Sequence, residues 1–334
     1  MDERLISAER TSYDDEPFSL RPKTLKEFIG QDDVKEMLDI FIRASQKREE
    51  SLDHVLFYGP PGLGKTTLAN ILANEMGVQI KIASGPAIEK SGDLAVLLTA
   101  LNPGDVLFID EIHRLPKIVE EVLYPAMEDF AIDLIVGKDE TSRAIRVDLP
   151  PFTLVGATTR FGDLTGPLRD RFGVVHKLDF YDAKALETIC HRTAELYKTP
   201  IDATSIEEIG RRSRGTPRIV NRLFRRIRDF ADVLNDGVID PGITDQALAK
   251  LNIDPFGLDQ KDYLYLETLI EHHKGGPVGI DNLASGMSED VTTLEDVYEP
   301  YLLKLGFIAR TSRGRVATDK AYKHLKKPFQ SGLF

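Results

Sequence analysis

Short apolar runs and stretches of helical period alternate along the first half of the chain. His54–Tyr58, Val106–Ile109 and Phe152–Gly156 are mainly apolar, and they are too short and too rich in β-branched and aromatic residues to be buried helices. Between them, Thr66–Met76 and Pro116–Met127 repeat apolar residues at helical spacing. Strands alternating with helices predict βαβ units, hence an α/β domain with a parallel sheet and helices on both faces. One insertion follows the other period. Phe130–Val136 and Ala144–Leu149 bracket a polar turn at Gly137–Arg143, predicting a β-hairpin with Ile132, Leu134, Ile145 and Val147 on its apolar face.

From Asp182 to about Ile253 the pattern is helical, with breaks at Thr199-Pro200 and Gly215-Thr216-Pro217. Asp254-Pro255-Phe256-Gly257 is a boundary rich in turn residues. Beyond it, helical segments near Tyr263–Glu271, Ile280–Ala284 and Glu289–Lys304 precede two short β-prone runs, Phe307–Arg310 and Val316–Thr318, around Ser312-Arg313-Gly314. Helices followed by a hairpin predict a winged helix. The expected division is a large α/β domain over residues 1–181, a small all-helical domain over 182–254 and a winged-helix domain over 255–334. Residues 1–20, polar and aperiodic, read as a flexible arm.

Composition narrows the class. The chain has 334 residues, 42% hydrophobic and 29% charged, as expected of a soluble protein of two or three domains. Its one cysteine, Cys190, excludes an intramolecular disulfide and a cysteine-rich metal site and fits a reducing compartment. No run approaches the roughly 18 apolar residues of a membrane span. The charged N-terminus does not read as a signal peptide, so a cytoplasmic location is expected. The net charge of −11 conceals two basic blocks. From Lys304 to Phe334 there are eight Lys or Arg and a single acid, and Arg211–Arg228 holds eight arginines and no acid.

The sharpest chemical signal is Gly59-Pro60-Pro61-Gly62-Leu63-Gly64-Lys65-Thr66, which fits G-x-x-x-x-G-K-[ST] between a predicted strand and a predicted helix. Gly62 and Gly64 let the backbone wrap a polyphosphate, whose charge the N–H groups of a helix N-terminus solvate. Lys65 supplies a cation near the β/γ-phosphates, and the Thr66 hydroxyl can ligate Mg²⁺. Asp110 and Glu111 end the strand at Val106–Ile109. Acids so placed are often merely solvated, but beside a phosphate loop Asp110 suits the metal and Glu111 suits polarisation of the attacking water. Thr159, Arg171 and Arg218 are candidates for orienting water or stabilising phosphate charge. On the residues alone, each reads equally well as a surface polar group or salt-bridge partner.

Together these motifs resemble the AAA+ ATPases. Within that class, Leu20-Arg21-Pro22-Lys23, Gly59–Thr67, Asp110-Glu111-Ile112-His113-Arg114-Leu115, Gly156-Ala157-Thr158-Thr159-Arg160 and Leu168-Arg169-Asp170-Arg171-Phe172-Gly173 are similar to the RuvB family, motors of Holliday-junction branch migration. The likeness runs from about Leu20 to Phe329. It implies ATP and Mg²⁺, with Thr159 as sensor 1, Arg171 as the finger acting on a neighbour's site and Arg218 as sensor 2. It adds Thr67 to the nucleotide site and places adenine and ribose near Leu20, Arg21 and Tyr181, the last otherwise readable as a core aromatic closing a strand. It also implies a homohexameric ring around duplex DNA that works with RuvA and with the RuvC nuclease, and no membrane.

The expected DNA element is the wing. The helix at Glu289–Lys304 carries Glu289, Asp290, Glu295, Asp296 and Glu299, which phosphates would repel, whereas Arg310, Arg313 and Arg315 cluster around Gly314. Contacts from these arginines to phosphates give affinity without sequence information, with a solvated basic hairpin as the competing reading. Arg310 and Arg315, flanking the turn, are favoured. The Arg211–Arg228 block shows an apolar stripe at Ile219, Val220, Leu223, Phe224 and Ile227 and reads as an amphipathic helix serving subunit contacts rather than DNA. The hairpin either packs on its own domain or docks a partner, which by the resemblance is RuvA. A DNA translocase is the leading reading, and a clamp-loader-type switch is the alternative. An unfoldase lacks its aromatic pore loop here, and a non-catalytic scaffold is disfavoured by Lys65, Asp110, Glu111 and Arg171 together.

Overall fold

The computed structural model describes residues 21–136 and 143–328, which form two compact units. The predicted arm at residues 1–20 and most of the hairpin turn lie outside the described residues. One unit runs to Gly59 and resumes over Leu63–Asp179; the other comprises Pro60–Gly62 and the chain from Phe180 onward.

The first unit is a five-stranded parallel sheet ordered β2-β3-β6-β1-β7, from Ile80–Ser84 (β2), Val106–Asp110 (β3), Thr153–Thr158 (β6), Val55–Tyr58 (β1) and Val174–Lys177 (β7). Its helices are Asp32–Arg48 (α1), Lys65–Met76 (α2), Ser91–Thr99 (α3), Lys117–Glu128 (α4) and the short Gly166–Arg169 (α5). The apolar β3 and β6 are buried along their lengths, as central strands covered on both faces must be. After β1 the chain crosses to the far edge and returns strand by strand. It then passes over β1 to add β7, which leaves a crevice at the C-terminal end of β1. Ala131–Val136 (β4) pairs antiparallel with Arg143–Asp148 (β5), Ile132 opposite Val147 and Leu134 opposite Ile145.

Buried His54 ties this unit together. Its Nδ1 accepts from Leu154 N at 2.9 Å, leaving Nε2 to donate to the Met127 carbonyl at 3.0 Å. Burial lowers its pKa, so the neutral ring is a fixed connector of β1, β6 and α4.

The second unit opens with four helices, Ala183–Tyr197 (α6), Ala203–Arg212 (α7), Pro217–Leu234 (α8) and Pro241–Lys250 (α9). Asp182, Asp202 and Asp240 cap three of them by accepting backbone N–H bonds from Ala185, Thr204 and Ile243. On α8 the predicted stripe is buried, and several arginines of the basic block, on α7 and α8, are engaged within the unit. Arg211 and Arg212 pair with Glu208, Arg226 with Asp229 and Arg228 with Asp232, while Arg222 is fully buried. Cys190 is buried too, which pushes its thiol up to about 12 and makes it unreactive at neutral pH.

The winged helix follows, with Gln260–Glu267 (α10), Ile280–Met287 (α11), Val291–Thr293 (α12) and Glu299–Leu305 (α13), joined by one-turn π segments at Thr268–His272 and Leu294–Tyr298. The wing is Ile308–Thr311 (β8) against Gly314–Ala317 (β9), and Val278 exchanges two backbone hydrogen bonds with Arg315 on its other side. Asp319–His324 (α14) ends the module. Arg214, between α7 and α8, reaches Asp262 of α10 at 2.7 Å with the side chains 3% and 0% exposed, and lies 4.5 Å over the Tyr301 ring. Removing one member of a buried pair strands the other charge, which costs about 3–5 kcal/mol. We expect Arg214→Ala to lower the urea midpoint of this unit accordingly. Arg214→Met with Asp262→Asn, which removes both charges and keeps the cap acceptor, should recover most of the loss.

Candidate functional site

Parallel strands in register end together, and that places the chemistry. Tyr58 lies level with Thr158, and Ile109 with Gly156, so the residues leaving β1, β3 and β6 emerge side by side. Leaving β1, Gly59 has φ 138° and donates to the Thr158 carbonyl, and a Cβ on it would lie 2.4 Å from the Leu178 carbonyl oxygen. Only glycine fits there. Gly62 and Gly64 also have positive φ, at 82° and 102°. The loop delivers the chain to α2, whose first turn carries no acid and whose N-cap, Gly64, supplies no side-chain acceptor. Its terminal N–H groups therefore favour an anion. Lys65, buried, donates from Nζ to the Gly59 carbonyl at 2.7 Å, so the cation is held at the mouth of the loop. Thr67 lies in the first turn of α2.

The Thr66 hydroxyl is 3.5 Å from Asp110 Oδ2, and Asp110 Oδ1 accepts the Glu111 N–H at 3.0 Å. A hydroxyl beside a carboxylate is a pair of hard oxygen donors, which fits Mg²⁺ shared with phosphate and water. Among the described residues no group of three or more His, Cys, Asp or Glu could cage a metal alone. Glu111 sits at φ 49°, left-handed for a non-glycine residue, where strain commonly marks a functional position. Its Oε2 is 3.2 Å from both the Thr159 hydroxyl, which donates to it, and His113 Nδ1. Nothing among the described residues donates to Oε1.

Arg171 lies in the same unit, donating to the Pro167 carbonyl at 2.7 Å, pairing with Glu128 at 3.1 Å and stacking 4.4 Å from the Tyr124 ring centre. Arg21 is partly buried, and Leu20 falls outside the described residues. Tyr181 and Arg218 belong to the second unit. Tyr181 is buried there, donating from its backbone N–H to the Gly215 carbonyl at 2.9 Å, and Arg218 is partly buried in the first turn of α8.

On the winged helix the structure alters the electrostatics expected from sequence. Glu299 differs from the other four acids of this segment, which are exposed or partly buried. It is fully buried and accepts from the Tyr265 hydroxyl at 2.9 Å, from Arg310 Nε at 2.9 Å and from Arg315 Nε at 2.8 Å. Arg315 also reaches Glu295 at 3.1 Å. Burial and the adjacent carboxylate push the Tyr265 phenol well up, so it stays a donor. Arg310 remains 48% exposed, Arg315 14%, and Arg313 is exposed at the turn. The hairpin expectation is corrected in part. Ile132 is fully buried in the core of the first unit and Val147 packs against that core, so neither presents a docking face. Ile145 is 48% exposed, and the Leu134 side chain is outside the described set.

A phosphate loop, a hydroxyl ending the neighbouring strand and an acid pair ending the next define a P-loop ATPase of the AAA+ class, here with a helical domain and a winged helix attached. Three family models match in succession: the Holliday junction DNA helicase RuvB P-loop domain over residues 20–178, the RuvB AAA lid domain over 181–254 and the RuvB C-terminal winged helix domain over 255–326. The chain belongs to the RuvB family. It is 58% identical over 332 residues to the Holliday junction branch migration complex subunit RuvB of Acholeplasma laidlawii, covering 99% of this chain and 98% of that protein. The corresponding subunit of Phytoplasma mali is 58% identical over 316 residues, 95% of each chain. Among solved structures, the Thermotoga maritima RuvB Holliday junction branch migration motor superposes with a TM-score of 0.86 at 51% identity, covering 93% of this chain and 99% of that one.

Three residues of these sites were given no such role from sequence: His113 was read only as part of the Asp110–Leu115 motif, and Glu299 only as one of the acids that phosphates would repel. Gly85 is the third. A Cβ there would lie 2.4 Å from the Glu111 carbonyl oxygen and 3.4 Å from that of Asp110, so the bare glycine lets this turn seat. We expect Gly85→Ala to push the acid pair out of place, lowering ATP turnover between about tenfold and a hundredfold while ATP affinity changes little. Steady-state hydrolysis alongside nucleotide titration measures both.

Proposed function

We propose that this chain is the ATP-driven motor of branch migration at Holliday junctions, working as a homohexameric ring that moves duplex DNA irrespective of sequence. The observation that carries the reading is the Glu111 carboxylate, held on one oxygen beside the phosphate loop, in a chain that also bears a basic wing. Lys65 and the α2 N-terminus bind the β/γ-phosphates of ATP. Thr66 and Asp110 would hold Mg²⁺, which would supply positive charge to offset that of the phosphates. Glu111 polarises the attacking water through Oε1, and Thr159 orients it at the γ-phosphate. Arg171 serves a neighbouring subunit's site, Arg218 reports the phosphate state from the helical domain, and Arg21 and Tyr181 flank the base and ribose.

Arg310, Arg313 and Arg315 contact DNA phosphates. One buried carboxylate between Arg310 and Arg315 fixes both guanidinium planes and still leaves the wing net positive. RuvA is the proposed partner of the Ala131–Asp148 hairpin through Ile145, with RuvC associated in the same complex and the whole assembly in the cytoplasm. Among the described residues no helix is long and apolar enough to cross a membrane.

Two experiments test this. With a labelled four-way junction, ATP, Mg²⁺ and a RuvA-type partner, the junction should resolve into duplex arms, and Arg171→Ala should abolish this while keeping ATP binding. ATP turnover with the junction left intact moves the reading to a loader-type switch. Separately, Arg310→Ala with Arg315→Ala should weaken DNA binding and flatten the log–log salt slope by about two, since each phosphate contact contributes about 0.9. An unchanged slope removes Arg310 and Arg315 from the phosphate contacts.

A further inference from the structure

The proposed mechanism leaves His113 unused, although it lies within reach of the water-polarising carboxylate. Its Nδ1 is 2.9 Å from the Thr158 hydroxyl and 3.2 Å from Glu111 Oε2, and its side chain is 10% exposed. Thr158 is fully buried on β6, and its Oγ1 already accepts the Arg160 N–H at 2.9 Å. One imidazole nitrogen is thus placed between a hydroxyl fixed in the sheet and the carboxylate that emerges level with it.

We propose that His113 is a positioning residue for ATP hydrolysis: its Nδ1–H, shared between Thr158 Oγ1 and Glu111 Oε2, pins that carboxylate oxygen so that Oε1 faces the attacking water. This rests on the reading of Glu111 as the group that polarises water. The geometry supplies the reason for a second donor. Thr159 alone leaves the carboxylate free to rotate about its bond to Cγ, because one hydrogen bond fixes an oxygen but not the plane. Thr159 and His113 reach Oε2 from two chain segments, the end of β6 and the turn after β3, and hold it at two points. The left-handed backbone at Glu111 brings that side chain back over the turn where His113 stands. Thr158 and Thr159 are consecutive, so any shift of the end of β6 acts on both anchors of Glu111 together.

The test compares His113→Leu, which fills the volume without a donor, with His113→Asn, whose amide can donate from nearly the Nδ1 position. Glu111→Gln is the control for the underlying reading. In the full-length protein, His113→Leu should lower kcat about tenfold with the KM for ATP within about twofold of wild type. His113→Asn should keep kcat within about threefold. Should His113→Leu not fold, His113→Ala replaces it in the comparison. Wild-type kcat in the donor-free variant overturns the inference, and so does an equal loss in His113→Asn, because the donor is then irrelevant. Normal turnover in Glu111→Gln overturns the reading on which it rests. A dead Glu111→Gln with unaffected His113 variants overturns only the role of His113.

Discussion

Everything at the ATPase site depends on one constraint: parallel strands in register release their chains at the same edge of the sheet. A phosphate loop alone would bind an anion and do nothing to it. Because β1 is flanked by strands added later in the chain, the loop after Tyr58 opens beside Thr158-Thr159 on one side, and the acid pair follows one strand further out. The Lys65 cation, the Asp110 and Glu111 carboxylates and the Thr159 hydroxyl, to which the proposed function gives its roles, are thereby supplied by three segments far apart in sequence. The glycines are consequences of the same constraint. The edge is crowded, and Gly59 and Gly85 are where backbone meets backbone at distances that exclude a Cβ.

The winged helix meets a different problem, that of keeping cations available beside a surface of acids. Glu299 withdraws from that surface into the core of the module, where solvation of its charge is replaced by Tyr265, Arg310 and Arg315. A buried carboxylate with several charge-assisted donors is satisfied, and its geometry is transferred to the arginines. The acid that looked from sequence like a source of repulsion is what orients the basic wing.

The elements carried by strong periodicity were legible in the sequence. The strands at β1, β3 and β6, the helices α2 and α4 and the hairpin lie within a residue or two of their expected positions, and the helices before the wing follow in the expected order with ends up to three residues off. The edge strands β2 and β7 were missed because each is half exposed, mixing polar and apolar residues without a continuous run. The phosphate loop was readable because its chemistry is local. His113 and Glu299 were not, because their contacts include side chains many residues away, and in sequence one is a polar residue in a mixed polar and apolar turn and the other a further acid in an acidic helix. The hairpin face was half readable. Alternation identified which residues share a face, but not that its base, at Ile132 and Val147, closes the core of its own unit.

Two arginines show how burial decides between a fixed joint and a movable group. Arg171 and Arg214 both pair with a carboxylate and both stack on a tyrosine. For Arg171 the partner Glu128 is 58% exposed, so the pair is screened, contributes about 0–1 kcal/mol and can be exchanged for a phosphate at little cost. For Arg214 the partner is fully buried, and separating the pair strands a charge at a cost several times larger. The first is suited to a finger that is engaged and released with each nucleotide. The second joins the helical domain to the winged helix four residues ahead of Arg218, so a displacement of the start of α8 is carried into α10 without first breaking a contact. A motor needs both kinds of contact, and in this chain an arginine, a carboxylate and a tyrosine make each of them at different depths.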